Sequence, residues 1–148
     1  MTSSIGKALN LSAEVGQFLI PVAAGCYAIY KRDYTTAATL ALSGVIQKGE
    51  IVFLKYLFPR LRPNGVDHKS FPSGHTAGAF LGIGLLASKY GYRSIATLSA
   101  LSGAVLVAFS RYNSRNHWPS DIAAGATIGL LNGVLASNLS WILDRNRM

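Results

Sequence analysis

The sequence predicts an all-α fold, a multi-pass transmembrane bundle of about five helices, with six as the alternative count. The first observation is composition. Half of the 148 residues are hydrophobic and only 14% are charged, whereas charged residues make up about a quarter of a soluble domain. The mean hydropathy is +0.30. The second observation is clustering: Asp, Glu, Lys and Arg are absent from residues 15–30, 34–47, 76–88, 94–110 and 122–143. A soluble helical domain is the alternative.

Turn signals divide these stretches into helices. The first helix ends at the charged turn 31–33, and Pro59 stops the second because proline cannot continue the hydrogen-bond ladder. A polar loop over 60–71 follows, and Pro119 suits the first turn of the last helix. The predicted helices cover about 12–30, 35–58, 74–90, 94–110 and 119–143. The last two charge-free stretches approach or exceed the length of about 20 residues that a spanning helix needs.

Small residues follow a four-residue spacing on two of these helices. Gly125, Gly129 and Gly133 form a stripe on the fifth helix, and Gly78 and Gly82 form one on the third. Such stripes allow helices to approach closely in a bilayer. We expect packing within the chain, with a homodimer contact as the alternative.

Two charges fall in the middle of the second helix. Charges at membrane depth usually face a cavity or a partner. Lys48 lies seven residues before Lys55 and shares its face, whereas Glu50 points elsewhere. The sequence assigns no role to Glu50, and a basic residue of a neighbouring helix is one candidate partner.

The net charge of +8 would ordinarily suggest nucleic acid as a partner. The basic residues lie between the apolar stretches, however, which indicates contact with anionic lipid headgroups and no nucleic-acid partner. Cys26 is the only cysteine, so it forms no intrachain disulfide. No cleavable signal peptide is recognisable, and we expect the first helix to remain in the membrane. Residues 1–148 are predicted to form a single domain.

Three polar segments interrupt this apolar chain. They are Lys55 to Pro63, Pro72-Ser-Gly-His75, and Ser110 to Asp121. Because five helices alternate in direction, the end of helix 2, the start of helix 3, the end of helix 4 and the start of helix 5 emerge together. We call this the motif end. The residues predicted to meet there are Lys55, Arg62, Ser73, Gly74, His75, Arg111, His117 and Asp121.

The cations at the motif end suit a phosphoryl group. Lys55, Arg62 and Arg111 can neutralise it, the arginines through bidentate contacts. Ser73 can cap helix 3, and glycine at position 74 lets the first backbone N–H groups of that helix approach the anion.

The histidines suit acid–base chemistry. Asp121 lies one turn after His117 and can orient its imidazole, which is the arrangement of an activated nucleophile. His75 remains as the general acid for the leaving oxygen. Near these motifs the sequence offers too few carboxylates for a metal cage, and the cations fill that role. We therefore expect no metal and no other cofactor.

The three segments resemble the motifs of the type 2 phosphatidic acid phosphatase (PAP2) superfamily, Lys-x6-Arg-Pro, Pro-Ser-Gly-His and Ser-Arg-x5-His-x3-Asp. All three match without a substitution and in order across residues 55–121. The resemblance implies a phosphohistidine at His117, oriented by Asp121, with His75 protonating the leaving group. It implies that Lys55, Arg62, Ser73, Gly74 and Arg111 hold the phosphate. The membrane members of that family usually have six spanning helices, so we expect the usual first helix to be missing or reduced to residues 1–10.

The leading hypothesis is a lipid phosphate phosphatase of a bacterial-type inner membrane. Candidate substrates are phosphatidic acid, phosphatidylglycerol phosphate and polyprenyl diphosphates. A phosphatase for small soluble phosphoesters and a catalytically silent scaffold are the alternatives.

The distribution of basic residues predicts which end of the helix bundle faces the cytoplasm. Outside the three predicted phosphate-binding cations, the motif end has Lys7, Arg60, Lys69 and Arg115, and the opposite end has Lys31, Arg32, Lys89, Arg93, Arg145 and Arg147. The positive-inside rule then predicts an extracytoplasmic active site.

Overall fold

The structure, a computed structural model, describes residues 4–146, apart from the side chains of residues 4–6 and 9. Its five helices are α1 (Ser4–Tyr30), α2 (Tyr34–Leu57), α3 (Gly74–Tyr90), α4 (Ile95–Asn113) and α5 (Pro119–Arg145). The described part of the chain contains no strand. The all-α prediction is therefore confirmed, with five helices over residues 4–146.

The start of α1 differs from the prediction. The helix begins at Ser4 and continues without a break to Tyr30, so residues 4–10 are its first turns and not a reduced separate helix. The apolar pattern missed these turns because they precede the first charge-free stretch, which begins at Val15. Asn10, in these turns, accepts a hydrogen bond from Arg111 of α4, so the added turns contact the rest of the bundle.

The central helix is α3, which packs against each of the other four. Its 17 residues span about 25 Å at 1.5 Å per residue. Leu81, Leu85 and Leu86 are almost fully buried, in a cluster with Leu40 and Ala136 of the surrounding helices. Because α3 is enclosed, its apolar residues face protein.

The glycine stripes pack against neighbouring helices of the same chain. A Cβ added at Gly129 would lie 2.3 Å from the carbonyl oxygen of Ala77, and one at Gly133 would lie 2.3 Å from that of Leu81. The second stripe does the same against α1, where a Cβ at Gly78 would lie 2.8 Å from the carbonyl oxygen of Gln17. The prediction of close packing within the chain is confirmed.

Four helices are long and apolar enough to cross a membrane. They are Asn10–Tyr30, Tyr34–Leu57, Ile95–Asn113 and Pro119–Arg145. Their outer faces carry large exposed hydrophobic side chains, among them Leu19, Ile46, Phe53, Leu106, Leu131 and Trp141. Exposed apolar surface of this extent requires a lipid environment. The protein is an integral membrane protein in which α1, α2, α4 and α5 surround α3.

The charges within α2 have separate surroundings. Lys48 and Lys55 line the same cavity, as their spacing predicted. Glu50 instead accepts a hydrogen bond from Asn132 Nδ2 of α5 at 2.9 Å. The partner of this carboxylate is therefore a neutral amide of the neighbouring helix and not the candidate basic residue.

Candidate active site

The motif end opens into a cavity of about 810 Å³ between α1 and α2, with α3 as its floor. Lys55, Arg62, Gly74, His75 and His117 line its mouth. The remaining wall is mostly apolar and includes Phe18, Val22, Leu40, Val45, Val52 and Leu81. Charged groups and histidines thus lie at the mouth of a largely hydrophobic cavity.

His117 lies in the turn between α4 and α5 and is only 3% exposed. Its Nδ1 is 2.6 Å from the backbone oxygen of Ser70. Since a carbonyl oxygen can only accept, Nδ1 carries the hydrogen and donates it, which leaves Nε2 as the unprotonated nitrogen. The loop before α3 therefore fixes the tautomer of His117.

Asp121 lies behind this contact and is fully buried. Its Oδ2 is 4.0 Å from His117 Nδ1, which is too long for a hydrogen bond. The same oxygen accepts the Ser70 hydroxyl and the Trp118 N–H, the latter at 2.9 Å. Asp121 therefore positions His117 through Ser70, the residue whose carbonyl oxygen holds the imidazole.

The charge of Asp121 is compensated by Arg60. Arg60 NH1 lies 2.8 Å from Asp121 Oδ1 and donates to Ser120 Oγ at 2.7 Å. Burial of a carboxylate requires such pairing. Sequence reasoning missed Arg60 and Ser70. Arg60 was grouped with ordinary surface cations, and nothing in the spacing of the motifs singles out Ser70.

The environment of His117 keeps its imidazole neutral. Burial lowers the pKa of His117 to about 4, and the positive charge of Lys55 acts in the same direction. The hydrogen bond to Ser70 and the charge of Asp121 oppose this shift without cancelling it. At neutral pH the unprotonated Nε2 is thus fully populated.

Lys55 and Arg62 hold the loop that covers the site. The ammonium group of Lys55 donates to the carbonyl oxygens of Lys69 and Pro72 at 2.6 and 2.7 Å. An ammonium has three donors, so one remains for a ligand. Arg62 Nε donates to Asp67 Oδ1 at 2.7 Å, and this contact holds the pKa of Asp67 below its usual value. Both cations therefore order the loop and still line the cavity.

The start of α3 forms the floor of the mouth. The Ser73 hydroxyl is buried, caps the helix through the Thr76 N–H at 3.5 Å and lies 3.0 Å from Thr76 Oγ1. Its side chain is thus used within the helix cap. First-turn N–H groups point out of a helix N-terminus, so those of Gly74 and His75 are available to an anion.

His75 and Arg111 share a carboxylate from α1. Glu14 Oε1 lies 3.0 Å from His75 Nε2 and 3.2 Å from Arg111 NH1. The contact with His75 lacks hydrogen-bond geometry, and it becomes an ion pair when the imidazole is protonated. Arg111 NH2 also donates to Asn10 Oδ1 at 3.1 Å. Arg111 does not line the cavity and is instead paired with α1.

Glu14 is a third residue of the site that sequence reasoning missed. It precedes the first charge-free stretch and belongs to none of the three motifs. Its role at the site depends on the packing of α1 beside α3 and α4. No group of three or more His, Cys, Asp or Glu side chains within the described residues could hold a metal ion.

Comparison with known proteins now identifies the family. Residues 34–145 match the PAP2 superfamily, which is about three quarters of the chain. The chain belongs to this superfamily.

Two curated relatives are lipid A phosphatases. Lipid A 1-phosphatase of Porphyromonas gingivalis is 39% identical over 105 residues, covering 70% of this chain and 23% of that protein. The chain therefore spans about a quarter of the length of this relative. Lipid A 4'-phosphatase of Helicobacter pylori is 26% identical over 137 residues, covering 84% of this chain and 68% of the relative.

A solved structure has the same fold. The crystal structure of Aquifex aeolicus LpxE aligns with a TM-score of 0.70 at 23% identity, covering 89% of this chain and 84% of that one. At this identity the likeness concerns the arrangement of the helices.

Proposed function

We propose that this protein is a membrane phosphatase of one domain, residues 1–148, that hydrolyses lipid phosphate monoesters or diphosphates through a phosphohistidine and without a metal ion. One observation carries the proposal: a single cavity joins a cluster of cations and histidines to an apolar groove between membrane helices. A lipid phosphate has the matching polarity, with an anionic group at one end and hydrocarbon at the other.

His117 is the proposed nucleophile. Its Nε2 attacks phosphorus, and the bond from phosphorus to the leaving oxygen breaks. The N–H at Nδ1 stays on Ser70, and Asp121 and Arg60 keep that loop in place. A fixed tautomer removes the need for reorganisation as the imidazole becomes cationic.

His75 is the proposed general acid. In its protonated form it gives a proton to the leaving oxygen, and the alcohol or phosphate product departs. Water then attacks the phosphohistidine and transfers a proton to His75. Inorganic phosphate leaves, and both histidines return to their starting states. Burial lowers the pKa of His75, and the Glu14 carboxylate, 3.0 Å from Nε2, opposes this shift without cancelling it.

Phosphate binding is proposed for Lys55, Arg62, Ser73, Gly74 and Arg111. Lys55 and Arg62 contribute charge at the cavity mouth, and Gly74 contributes backbone N–H groups. Ser73 supports this floor as the cap of α3. When substrate binds, Arg111 is proposed to release the Glu14 carboxylate and to donate to a phosphate oxygen instead. Fixed charges of this kind stabilise the charge of a phosphoryl transfer state.

The candidate substrates are phosphatidic acid, phosphatidylglycerol phosphate, polyprenyl diphosphates and, from the names of the two relatives, lipid A phosphates. A phosphatase for small soluble phosphoesters is the alternative within the family, and the apolar groove favours a lipid over it. A silent scaffold of the same fold is the other alternative. Phosphate release from any lipid phosphate would exclude the scaffold.

We further propose that the protein lies in a bacterial-type inner membrane with the motif end outside. Outside the three proposed phosphate-binding cations, the motif end has four basic residues, Lys7, Arg60, Lys69 and Arg115. The opposite end has five basic residues within the described chain, and Arg147 lies outside the described residues. The positive-inside rule counts lysine and arginine residues, and this excess at the opposite end supports the orientation. Cysteine in place of Asn64, in a Cys26→Ser background, should react with an impermeant thiol reagent in intact cells. Labelling only after lysis would reverse the orientation.

The mechanism is tested by comparing the two histidines on two leaving groups. Detergent-purified wild type should release phosphate from lipid phosphates in excess EDTA. His117→Ala should lose turnover on every substrate, because no covalent intermediate can form. His75→Ala should be impaired by about 10²–10⁴-fold on an alkyl phosphate but much less on p-nitrophenyl phosphate, whose leaving group needs little protonation.

Single-turnover measurements are needed, because breakdown of the phosphohistidine can limit the steady state. A size-exclusion profile matching that of wild type verifies that each variant is folded. Equal defects of His75→Ala on both substrates, or residual turnover of His117→Ala at the level of His75→Ala, would contradict the assignment.

A further inference from the structure

A buried amide lies unpaired in the wall of the cavity. Gln47 of α2 is only 4% exposed, lines the cavity, and its Oε1 has no hydrogen-bond partner among the described residues. A buried polar atom without a partner costs about 1–3 kcal/mol. Such an atom facing a cavity indicates a ligand group that completes it.

The depth of Gln47 relates it to the phosphate position. A Cβ added at Gly74 would lie 3.4 Å from Ile51 Cγ2, and one at Gly44 would lie 3.5 Å from Leu81 Cδ2. Gln47 therefore lies between these two levels, one helical turn below Ile51. The four-residue separation corresponds to about 6 Å, so Gln47 faces the part of a bound lipid that follows its phosphate group by a few bonds.

The chemistry of the amide selects the group at this depth. An acceptor such as Oε1 requires a donor, and the NH₂ of the same side chain can donate in return. An alkyl chain or an ether offers no donor, and an ester offers only acceptors. An amide-linked acyl chain offers an N–H that can donate to Oε1. Because the linkage is trans, its carbonyl oxygen points away from the N–H, and the discrimination rests on this one donor.

We infer that Gln47 forms a subsite for the acyl linkage of the lipid and favours an amide-linked acyl chain over an ester or an ether. The inference rests on the proposed phosphatase function and specifies the substrate class of the same site. Gln17 of α1 also lines the cavity, but it is only partly buried and its NH₂ group already donates to Glu14 of its own helix.

Three synthetic substrates with one chain length test this subsite. They are 2-(acylamino)ethyl, 2-(acyloxy)ethyl and 2-(alkoxy)ethyl phosphate, which differ only in the linkage. Wild type should show kcat/KM about threefold to tenfold higher for the amide than for the ether, with the ester between, as expected of one net hydrogen bond. Gln47→Leu, which keeps the side-chain volume, should bring the three values together.

Ratios within one variant do not depend on the fraction of folded enzyme. Ser43→Ala is the matched control, because Ser43 is buried on the same face of α2 one turn deeper and does not line the cavity. It should keep the wild-type preference. Absence of the amide preference in wild type, or its persistence in Gln47→Leu, would overturn the subsite alone. Failure of wild type to release phosphate from all three compounds would instead overturn the proposed function.

Discussion

The packing around α3 differs between the side that faces α5 and the side that faces α2. Against α5 the helices touch through glycine. An added Cβ at Gly125 would lie 2.4 Å from the backbone oxygen of Ser73, the cap of α3, and one at Gly129 would lie 2.3 Å from that of Ala77. Towards α2 the packing is looser. A Cβ at Gly44 would lie 3.5 Å from Leu81 Cδ2 of α3, and one at Gly74 would lie 3.4 Å from Ile51 Cγ2 of α2, which are ordinary contacts.

We call the α5 side of α3 the tight wall, and the α2 side, which borders the cavity, the open wall. The α5 side carries His117 and Asp121 at its start and connects directly to the α3 cap, where the Ser73 N–H donates to the Asp121 carbonyl oxygen at 3.0 Å. The α1–α2 side contains the cavity. The nucleophile is therefore fixed on the tightly packed side, and the space for a lipid lies on the other.

The largest effect is expected at the tight wall. In Gly129→Ala the new methyl group would lie 2.3 Å from the Ala77 oxygen, so α5 must move away from α3. Overpacking typically costs about 1–3 kcal/mol, and displacement of α5 also moves His117. We expect a clear loss of thermal stability in detergent and of activity.

Gly44→Ala is the control on the open wall. Its new methyl group would lie 3.5 Å from Leu81 Cδ2, an ordinary contact. Its melting temperature should stay near that of wild type. Equal destabilisation by both substitutions would remove the distinction between the two walls.

A large side chain in the open wall should limit the length of acyl chain that the cavity accepts. Ala41 lines the cavity. It lies about ten residues before Ile51, the α2 residue beside Gly74, which is about 15 Å along α2. Ala41→Trp should reduce kcat/KM for long-chain lipid phosphates by about tenfold, because the pocket loses the space of several methylene groups. Short-chain analogues should be hydrolysed as before. Leu42→Trp, on the outer face of α2, is the control, and an equal loss in that variant would argue against a lipid in the groove.

The link between α1 and the site is tested at Glu14. Its carboxylate occupies Arg111 and His75, so it repels an incoming phosphate group. Glu14→Gln should bind vanadate, an analogue of the transfer state, about threefold more tightly, and the inhibition constant measures this. Asp33→Asn at the opposite end removes one carboxylate far from the site and should leave the constant unchanged. Weaker vanadate binding by Glu14→Gln would show that Glu14 supports the anion site instead.

The smallest effect concerns pH. A protonated imidazole cannot attack phosphorus, and the pKa of His117 is lowered to about 4. Its contribution to kcat/KM should therefore be complete above pH 5 and decline as the pH falls through about 4, not through the usual value near 6.5. Single-turnover rates on p-nitrophenyl phosphate measure this limb, since that substrate depends little on His75. A decline centred near pH 6.5 would mean that His117 is solvated.

Several features followed from the sequence because they depend on local pattern. Charge-free stretches located the helices to within a few residues at most ends, since length and polarity are properties of the segment itself. Pro59 and Pro119 marked boundaries correctly. Alternating helix directions were sufficient to bring three distant motifs to one end.

Other features depended on contacts between segments. The first turns of α1 are helical and Glu14 reaches the site, because Arg111 and His75 are brought beside it by the packing of α1. Likewise Asp121 is adjacent to Ser70 and Arg60 only after the loop folds over the start of α5. Sequence spacing placed Asp121 one turn from His117. In the structure the Ser70 carbonyl oxygen lies 2.6 Å from His117 Nδ1, whereas Asp121 Oδ2 lies 4.0 Å away.

By itself, the sequence indicated about five helices, their directions and the composition of the motif end, because these depend on period, charge and chain order. The tertiary structure decided which acceptor holds His117, which carboxylate neutralises Arg111 and which side of α3 stays open. Those outcomes depend on how closely the helices pack. Gly129 permits α5 to contact the α3 backbone, whereas side chains between α2 and α3 keep those helices apart and leave the cavity in which Gln47 lies.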